Sequence, residues 1–314
     1  MEVTVAVVSW NTRELLLRCL DSLHDEALGD RVEVFVVDNG SSDGSAEAVK
    51  RRAPWVQLIE PEENLGFGRA VNLVARRATG EWLLALNADV ALGPGALSAL
   101  LGAGGPPAVG CVAPRLILPG GETQHSVHPL PTLRLVAAFN LGLHHVSHRL
   151  AERLCLEGFW NPDVARQVPW AIGACLLLRR SAFNAVGGFD ERQWMYAEDL
   201  DLGWRLGDHG WQIRYEPSAR VQHASGAATE GAFGEQRTAR FLAATYAMLR
   251  RRRGGAAMRL TAAINIAGAA SRVAWMAPAG MVLPRWRRAS RANRQWLEAH
   301  IAGARESSTL LRPP

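Results

Sequence analysis

The apolar residues at the start of this chain alternate between two rhythms. Val3-Thr-Val-Ala-Val-Val8 and Val32-Glu-Val-Phe-Val-Val37 are short runs rich in β-branched residues, the pattern of strands buried on both faces. Between them Leu15, Leu16, Cys19, Leu20 and Leu23 recur at the spacing of a helix with one buried face. Gln57-Leu-Ile59 predicts a short third strand, and a helix through Val74 and Ala75 follows it. Trp82-Leu-Leu-Ala-Leu86, between Thr79-Gly80 and Gly93-Pro94-Gly95, predicts a central parallel strand, since five consecutive apolar residues suit burial on both faces. At least four alternating units within about 90 residues predict an α/β chain, with a mostly parallel central sheet flanked by helices.

Each predicted strand runs into a polar loop, and open α/β sheets bind ligands outside the carboxyl ends of their strands. The first loop is Ser9-Trp10-Asn11-Thr12, and it lacks Gly-x-Gly-x-x-Gly, which argues against a nicotinamide or flavin dinucleotide. Asp38, opening Asp38-Asn-Gly-Ser-Ser-Asp-Gly44, is placed either to hydrogen-bond a ribose or base, or to make a turn in which Asp43 or Ser45 caps the next helix. Gly66 and Gly68, in Asn64-Leu-Gly-Phe-Gly-Arg69, either expose backbone N–H groups that with Arg69 suit a phosphate or nucleoside, or only permit a tight loop. The fourth loop is Asn87-Ala88-Asp89, where Asp89 can hold a divalent cation against a diphosphate, or Asn87 and Asp89 can simply turn the chain.

From Gly102 to Pro169 the alternation fades among prolines and five histidines: His125, His128, His144, His145 and His148. His144 and His148 can share a helix face, but no carboxylate or cysteine has a matching spacing, so these side chains read as solvated or partner-facing. A mobile lid or acceptor-binding insertion is expected here. Val168 to Arg180 predicts a strand, with Trp170 near its start and the small pair Gly173-Ala174 marking either a close ligand approach or a bulge. Glu198, Asp199 and Asp201 then crowd the first turn of a helix. Asp201 pairs with Arg205 at i,i+4, which leaves Glu198 and Asp199 for other work. A carboxylate kept ionised by the helix amino terminus is suited to take a proton from a hydroxyl nucleophile. Ile213 to Pro217 and Val221 to His223 predict a short hairpin ending in a buried, satisfied histidine.

Composition changes this picture in two places. Hydrophobic residues at 48% and charged residues at 21% of 314 fit a folded α/β domain with an appendage. Cys19, Cys111, Cys155 and Cys175 form no metal-ligand spacing and read as buried thiols of a reducing compartment, and the amino terminus shows no export signal. The net charge of +5 is uneven: Gln236 to Leu297 holds 13 arginines and no acidic residue, leaving 22 basic against 30 acidic residues elsewhere, a net of about −8. Arg250-Arg-Arg-Arg253 precedes an apolar stretch, Ala256 to Pro284, broken by Arg259, Asn265, Arg272 and Pro278. It is too interrupted for the roughly 18 to 20 apolar residues of a spanning helix. Arginine-flanked amphipathic helices with tryptophan suit an anionic membrane surface, or else a basic helical pair packs on the catalytic domain; no motif supports nucleic acid.

Taken in order, Val8-Ser-Trp-Asn11, Val37-Asp-Asn-Gly-Ser-Ser-Asp-Gly-Ser45, Asn64-Leu-Gly-Phe-Gly68, Leu86-Asn-Ala-Asp89, Gly173-Ala-Cys175 with Arg179-Arg180, Gly188-Phe-Asp-Glu191, Glu198-Asp-Leu-Asp-Leu202 and His223 closely resemble the family 2 glycosyltransferases, particularly their bacterial rhamnosyltransferase-like branch. The resemblance spans about residues 3 to 225. It implies a GT-A fold over residues 1–235, with a nucleotide-sugar-binding half at 1–100, an acceptor-binding half at 101–235 and a basic helical extension at 236–314. It implies inverting transfer of a sugar from a nucleoside diphosphate donor, with L-rhamnose from dTDP-rhamnose as the leading candidate. The acceptor would be a saccharide or a polyprenyl-diphosphate-linked saccharide of cell-envelope synthesis, met at the cytoplasmic face of the membrane. By the same resemblance Ser9, Trp10, Asn11 and Asp38 would hold the base and ribose, and Asn64, Gly66, Gly68, Arg69 and Asn87 would line the nucleotide. Asp89 would bind Mg²⁺ or Mn²⁺ with His223 as a second ligand. Asp199 would be the general base, Glu198 would contact acceptor or donor sugar, and Trp170, Gly173 and Ala174 would lie at the sugar. Asn87 stands where many relatives carry aspartate, which removes one negative charge from the metal site. The alternatives are a sugar nucleotidyltransferase, which needs basic residues near the first loop, where Arg13 is the candidate, and an inactive sugar-lipid-binding relative.

Overall fold

In the computed structural model the described residues are 2–26, 31–225, 234–282, 284–305 and 308–311. They fall into two compact units, the first Met1–Leu130, Leu154–Trp194 and Glu198–Gly231, the second Pro131–Arg153, Met195–Ala197 and Ala232–Pro314. Residues 131–153 thus group with the carboxyl-terminal helices.

The first unit is built on a mixed nine-stranded sheet among the described residues. Its strands are β1 (Val3–Ser9), β2 (Val32–Asp38), β3 (Gln57–Ile59), β4 (Trp82–Asn87), β5 (Val90–Leu92), β6 (Val109–Ile117), β8 (Arg166–Val168), β10 (Cys175–Arg179) and β11 (Gln212–His223). A separate two-stranded pairing joins β7 (Val127–His128) to β9 (Trp170–Ala171). The main order is β3-β2-β1-β4-β10-β6-β11-β5, with β8 added to β11. The first four strands pair in parallel, as the strand and helix alternation predicts, while β10 runs antiparallel to both β4 and β6.

Alternate residues of the apolar runs enter two different cores, which is why the runs are continuous. Val3, Val5, Val7, Leu84 and Leu86 face α1 (Arg13–Asp25) and α4 (Ala96–Gly104), packing with Leu16, Leu20, Leu23 and Leu100. Ala6, Leu83 and Ala85 face the other way. There they meet α3 (Gly66–Ala75), α7 (Arg180–Ala185) and α8 (Glu198–Asp208) through Val71, Val74, Phe183, Leu202 and Leu206. A side chain of this kind contributes about 1.5–3 kcal/mol when fully buried, so the two clusters together fix the strand order. The helix α2 (Ser45–Arg52) joins β2 to β3.

Three sequence expectations change. The stretch read as irregular contains β6, nine residues long, whose Gly110 and Pro114 hide it from a propensity reading. The expected hairpin at residues 213–223 is one strand, β11, running parallel to β6 with a register shift between Glu216 and Arg220. Pro217 sits in that irregularity, where no ladder N–H is required. The expected strand from Val168 to Arg180 is divided among β8, β9 and β10, with breaks at Pro169 and at Ile172 to Ala174.

The second unit comprises α5 (Leu133–Asn140), α6 (His148–Arg153), α9 (Arg237–Val282) and α10 (Pro284–Ala304). The helix α9 is two helices joined at Gly254, whose φ of 84° and ψ of 162° follow the four-arginine run. It holds α10 through a buried bond between Tyr246 Oη and His300 Nδ1 at 2.8 Å, where burial lowers the imidazole pKa to about 4. Among the described residues no helix is long and apolar enough to cross a membrane.

Gly203 on α8 leaves no room for a side chain: a Cβ there would lie 2.5 Å from Trp170 Cβ and 3.2 Å from the Pro169 carbonyl oxygen. Gly203→Ala is therefore expected to destabilise by about 1–3 kcal/mol, as overpacking does, even though alanine is the better helix former. Thermal melting followed by circular dichroism measures the shift; a raised melting temperature would contradict the packing account.

Candidate active site

The carboxyl ends of β1, β2 and β4 stop level with one another, Ser9 opposite Asp38 and Val8 opposite Asn87. The loops that leave them are cross-tied. Asn39 N–H donates to the Ser9 carbonyl at 2.8 Å and Ala88 N–H to that of Val8 at 3.0 Å. Asn11, at a positive φ of 52°, donates its N–H to Ser41 Oγ and accepts from Ser42 N–H at 2.8 Å. Asp43 accepts from the N–H of Arg13 and from both N–H and Oγ–H of Ser45, so it anchors both the first loop and the start of α2. Asp38 is buried and takes both the N–H and a short hydroxyl bond of Ser41. Burial raises its pKa, with the Asp43 and Glu60 charges adding and the Ser41 bonds opposing.

The third loop has its own logic. Gly66 carries a φ of +74°, and a Cβ there would sit 2.0 Å from the Trp194 carbonyl oxygen, while one on Gly68 would sit 2.9 Å from Phe189 Cβ. Both glycines are dictated by packing. The Gly66 N–H, expected to face a phosphate, is already bonded to Asn64 Oδ1 at 2.9 Å, and Arg69 pairs with Glu63 at 3.5 Å.

At the end of β4 a second set of bonds brings in α8. Asn87 N–H donates to the Ala174 carbonyl at 3.0 Å, and the adjacent Gly173 N–H donates to Asp199 Oδ2 at 2.9 Å. Asp199 Oδ1 takes the Leu200 N–H at 2.7 Å. A Cβ on Gly173 would meet that of Asp199 at an ordinary contact distance of 3.5 Å, so here it is the backbone N–H and not close packing that matters. Glu198 beside it is buried, and its Oε2 has no hydrogen-bond partner. Burial, reinforced by the neighbouring Asp199 charge, raises the Glu198 pKa to about 8. The Asp199 pKa also moves up, because burial outweighs its backbone N–H donors; the expectation that the helix terminus alone would set its ionisation is corrected in that respect. Donors on both oxygens of Asp199, against an orphan oxygen on Glu198, assign the charge to Asp199 and the proton to Glu198. Asp201 is structural: it pairs with Arg205 at 2.7 Å, which in turn donates to the carbonyls of Val186 and Gly188.

The short strand β5 pairs antiparallel with β11, setting His223 opposite Val90, and Ala224 N–H donates to the Asp89 carbonyl at 2.9 Å. This brings His223 Nε2 to 3.4 Å from Asp89 Oδ1. His223 Nδ1 lies 2.6 Å from Gln124 Oε1, an acceptor, so Nδ1 carries a proton, and in the neutral ring Nε2 then presents a lone pair. Asp89 Oδ1 is buried without any donor. Two lone pairs facing each other in a buried site fit a divalent cation, with the imidazole tautomer set by its outer partner. The histidine is thus satisfied on one nitrogen only. Among the described residues no group of three His, Cys, Asp or Glu side chains can hold a metal alone, so the remaining positions would go to substrate oxygens and water.

Asp89 and His223 line a cavity of about 380 Å³ together with Leu15, Arg18 and Leu118. Arg18 on α1 is exposed and has no ion pair among the described residues. Neither Arg18 nor Gln124 was identified from sequence: one is an ordinary polar position on an amphipathic helix, and the other lies in the stretch read as irregular. Trp170, expected at the sugar, is instead buried, stacked on His128 at 4.7 Å with its indole N–H on the Pro129 carbonyl.

Residues 4–187 match the family profile "Glycosyl transferase family 2", and residues 142–290 match "Glycosyl transferase family group 2". The chain is 38% identical over 244 residues to an N-acetylglucosaminyl-diphospho-decaprenol L-rhamnosyltransferase of Mycobacterium tuberculosis, covering 70% of this chain and 75% of that protein. It is 29% identical over 221 residues to an O-antigen biosynthesis protein of Myxococcus xanthus, covering 69% of this chain and 17% of that one. A mannosyltransferase of Pyrobaculum calidifontis, solved with GDP-Man and Mn²⁺, superposes with a TM-score of 0.60 at 21% identity over 96% of this chain and 86% of that one, a likeness of fold.

Glu198 also makes stability depend on pH. Its pKa rises on folding from 4.5 to about 8, so between those values the folded state holds a proton that the unfolded chain has released. Stability contributed by the neutral acid is complete below about pH 4.5 and is lost as pH climbs towards 8. Glu198→Gln should therefore gain stability relative to wild type across that window and level off above it. Urea unfolding from pH 5 to 9 reads the difference, and a pH-independent offset would refute the buried neutral acid.

Proposed function

Because this chain belongs to glycosyltransferase family 2 and adopts a GT-A fold, we propose that its site transfers L-rhamnose, with inversion, from dTDP-L-rhamnose to a polyprenyl-diphosphate-linked saccharide in cell-envelope polysaccharide synthesis. The observation that carries the chemistry is a pair of half-buried acids with opposite tasks, both tied to the end of β4. Asp199 is charged and held by Gly173, while Asp89 Oδ1 faces His223 Nε2 with no donor between them. The identity of the sugar and the lipid-linked acceptor are supported by the mycobacterial relative's name.

The donor nucleoside lies along the loops at Ser9, Trp10, Asn11 and Asp38, with Asn64, Gly66, Gly68 and Asn87 walling the nucleotide and Arg69 at its edge. Asp89 and His223 hold Mg²⁺ or Mn²⁺, which when bound neutralises charge on the departing diphosphate. Arg18, facing the same cavity, adds a fixed positive charge towards that diphosphate. Gly173 and Ala174 bring bare backbone up to the sugar. The acceptor hydroxyl loses its proton to Asp199 as its oxygen attacks the anomeric carbon from the face opposite the diphosphate. The carbon–oxygen bond to the diphosphate breaks in the same displacement, through an oxocarbenium-like state, and the nucleoside diphosphate leaves. Glu198, neutral beside the charged base, donates a hydrogen bond to acceptor or donor sugar. A single base and a single displacement give inversion.

The nucleotidyltransferase alternative loses its basic residue, since Arg13 is engaged by Glu14 and the Asp43 carbonyl. We place the protein on the cytoplasmic face of the membrane as a peripheral enzyme, its basic carboxyl-terminal helices suited to anionic lipid. The division into donor and acceptor halves at residues 100 and 235 is a functional one that goes with this assignment, and by contact residues 131–153 stand outside the acceptor half, with the carboxyl-terminal helices.

Asp199→Asn should lower turnover by about 10²- to 10⁴-fold while donor binding changes little. Rhamnose transfer from dTDP-L-rhamnose to a synthetic N-acetylglucosaminyl-diphospho-lipid, followed by mass spectrometry, measures the first, and calorimetric titration of dTDP the second. Wild-type rates in the variant would remove Asp199 from the mechanism. His223→Ala should weaken Mn²⁺ binding in the presence of dTDP by about 10-fold or more without unfolding the protein. Unchanged Mn²⁺ affinity would show that the cation sits elsewhere.

A further inference from the structure

The second unit is far more basic than the chain as a whole: its residues include 18 arginines and four acidic residues, a net of +14 against +5 overall. Within it, α5 and α6 are joined through the short turn at Leu143–His145 into a bent segment, the hairpin, and α5 buries none of its residues. Five large apolar side chains between positions 139 and 150 stand in the open: Phe139, Leu141, Leu143, Val146 and Leu150, from 46% exposed at Phe139 to 81% at Val146. Clusters of this kind mark interaction sites, because water-facing apolar surface is otherwise kept dispersed.

The hairpin's first helix, α5, is held by α9. Asn140 Nδ2 donates to Asn265 Oδ1 on α9 at 2.9 Å, and Arg272 Nη1 donates to Asn140 Oδ1 at 3.1 Å. Close approach at this point is allowed by Gly268, whose Cβ would overlap the Asn140 amide. Phe139 stacks on His144 at 4.6 Å and closes the turn. A rigid apolar tip loses little conformational freedom when it is buried. Arg134, Arg149 and Arg153 flank the tip, with Glu152 the sole acidic residue from 131 to 153.

We propose that the hairpin Leu133–Arg153 is an interfacial membrane element. Phe139, Leu141, Leu143, Val146 and Leu150 enter the boundary between headgroups and acyl chains of an anionic bilayer, and the arginines of the unit stay at the lipid phosphates. The partner follows from charge and from size: three exposed arginines, Arg134, Arg149 and Arg153, beside a small apolar tip in a unit of net +14 match anionic lipid, and the segment is too short to span. The inference rests on the membrane-surface part of the function proposed above, but it assigns the anchoring to this hairpin and not to the apolar stretch of α9.

Flotation of the full chain with phosphatidylcholine vesicles, with and without phosphatidylglycerol, tests it. Wild type should float with the anionic vesicles and lose them at high salt. The Leu141→Asp/Val146→Asp double variant should bind about tenfold or more weakly, since two exposed side chains lose their burial in lipid. Its melting temperature and its transfer to a water-soluble acceptor should match wild type. Because the four native cysteines are buried, Leu141→Cys can carry a single environment-sensitive fluorophore, whose emission should rise and shift to the blue on anionic vesicles. Wild-type flotation by the double variant, or a silent fluorophore, overturns the hairpin assignment while leaving the membrane location standing. No flotation by wild type overturns both.

Discussion

The site depends on how β4 ends. Its ladder to β1 runs out at Asn87, and there the antiparallel neighbour β10 begins, so that one backbone bond, Asn87 N–H to the Ala174 carbonyl, closes the seam. The next residue back, Gly173, turns its N–H to Asp199. Two residues on from Asn87, Asp89 receives His223 through the pairing of β5 with β11. A charged carboxylate and a cation-ready pair are therefore fixed to the same few peptide units. Each is positioned by main-chain hydrogen bonds, which cannot be rotated away as side-chain contacts can.

This arrangement puts charge where the core would reject it. Glu198 is buried and its neighbour Asp199 half-buried, and two like charges so close are avoided by division of labour: backbone donors on Asp199 favour its ion, while Glu198 keeps a proton to about pH 8. Asp89 Oδ1 is buried without a hydrogen-bond partner and faces His223 Nε2, which is the basis for the cation proposed there. Under the proposed function these two positions serve one displacement, with Asp199 as the base and Asp89 as the cation position.

The glycines show how closely packing constrains this chemistry. Gly66, Gly68 and Gly203 each face backbone or ring atoms at distances a Cβ cannot occupy, so the approach of α3 to Trp194 and Phe189, and of α8 to Trp170, is set by the absence of side chains. A lining role for Gly66 and Gly68 at the nucleotide is compatible with this, because the same close packing holds the loop that bears Asn64. Charge segregation adds a second constraint at the level of composition: the basic residues are concentrated in a unit with little acidic residue to offset them.

The sequence by itself determined that the first four strands run parallel, since continuous apolar runs separated by a helical period have few other solutions, and it singled out Asp38, Asp89, Asp199 and His223 as candidates through motif order. The Asp201–Arg205 pair was legible for the same local reason, an i,i+4 spacing. Tertiary structure decided what depends on pairing between distant strands. β6 and the single long β11 were hidden by Gly110, Pro114 and Pro217, residues that local propensity places outside strands and that a bulged, mixed sheet accepts. Gln124 and Arg18 acquire meaning only when β11 and α1 are brought to Asp89, and the stacking of Trp170 on His128 is likewise set by the fold. Local pattern fixes period and burial; which partner a side chain meets across a hundred residues is fixed by the sheet.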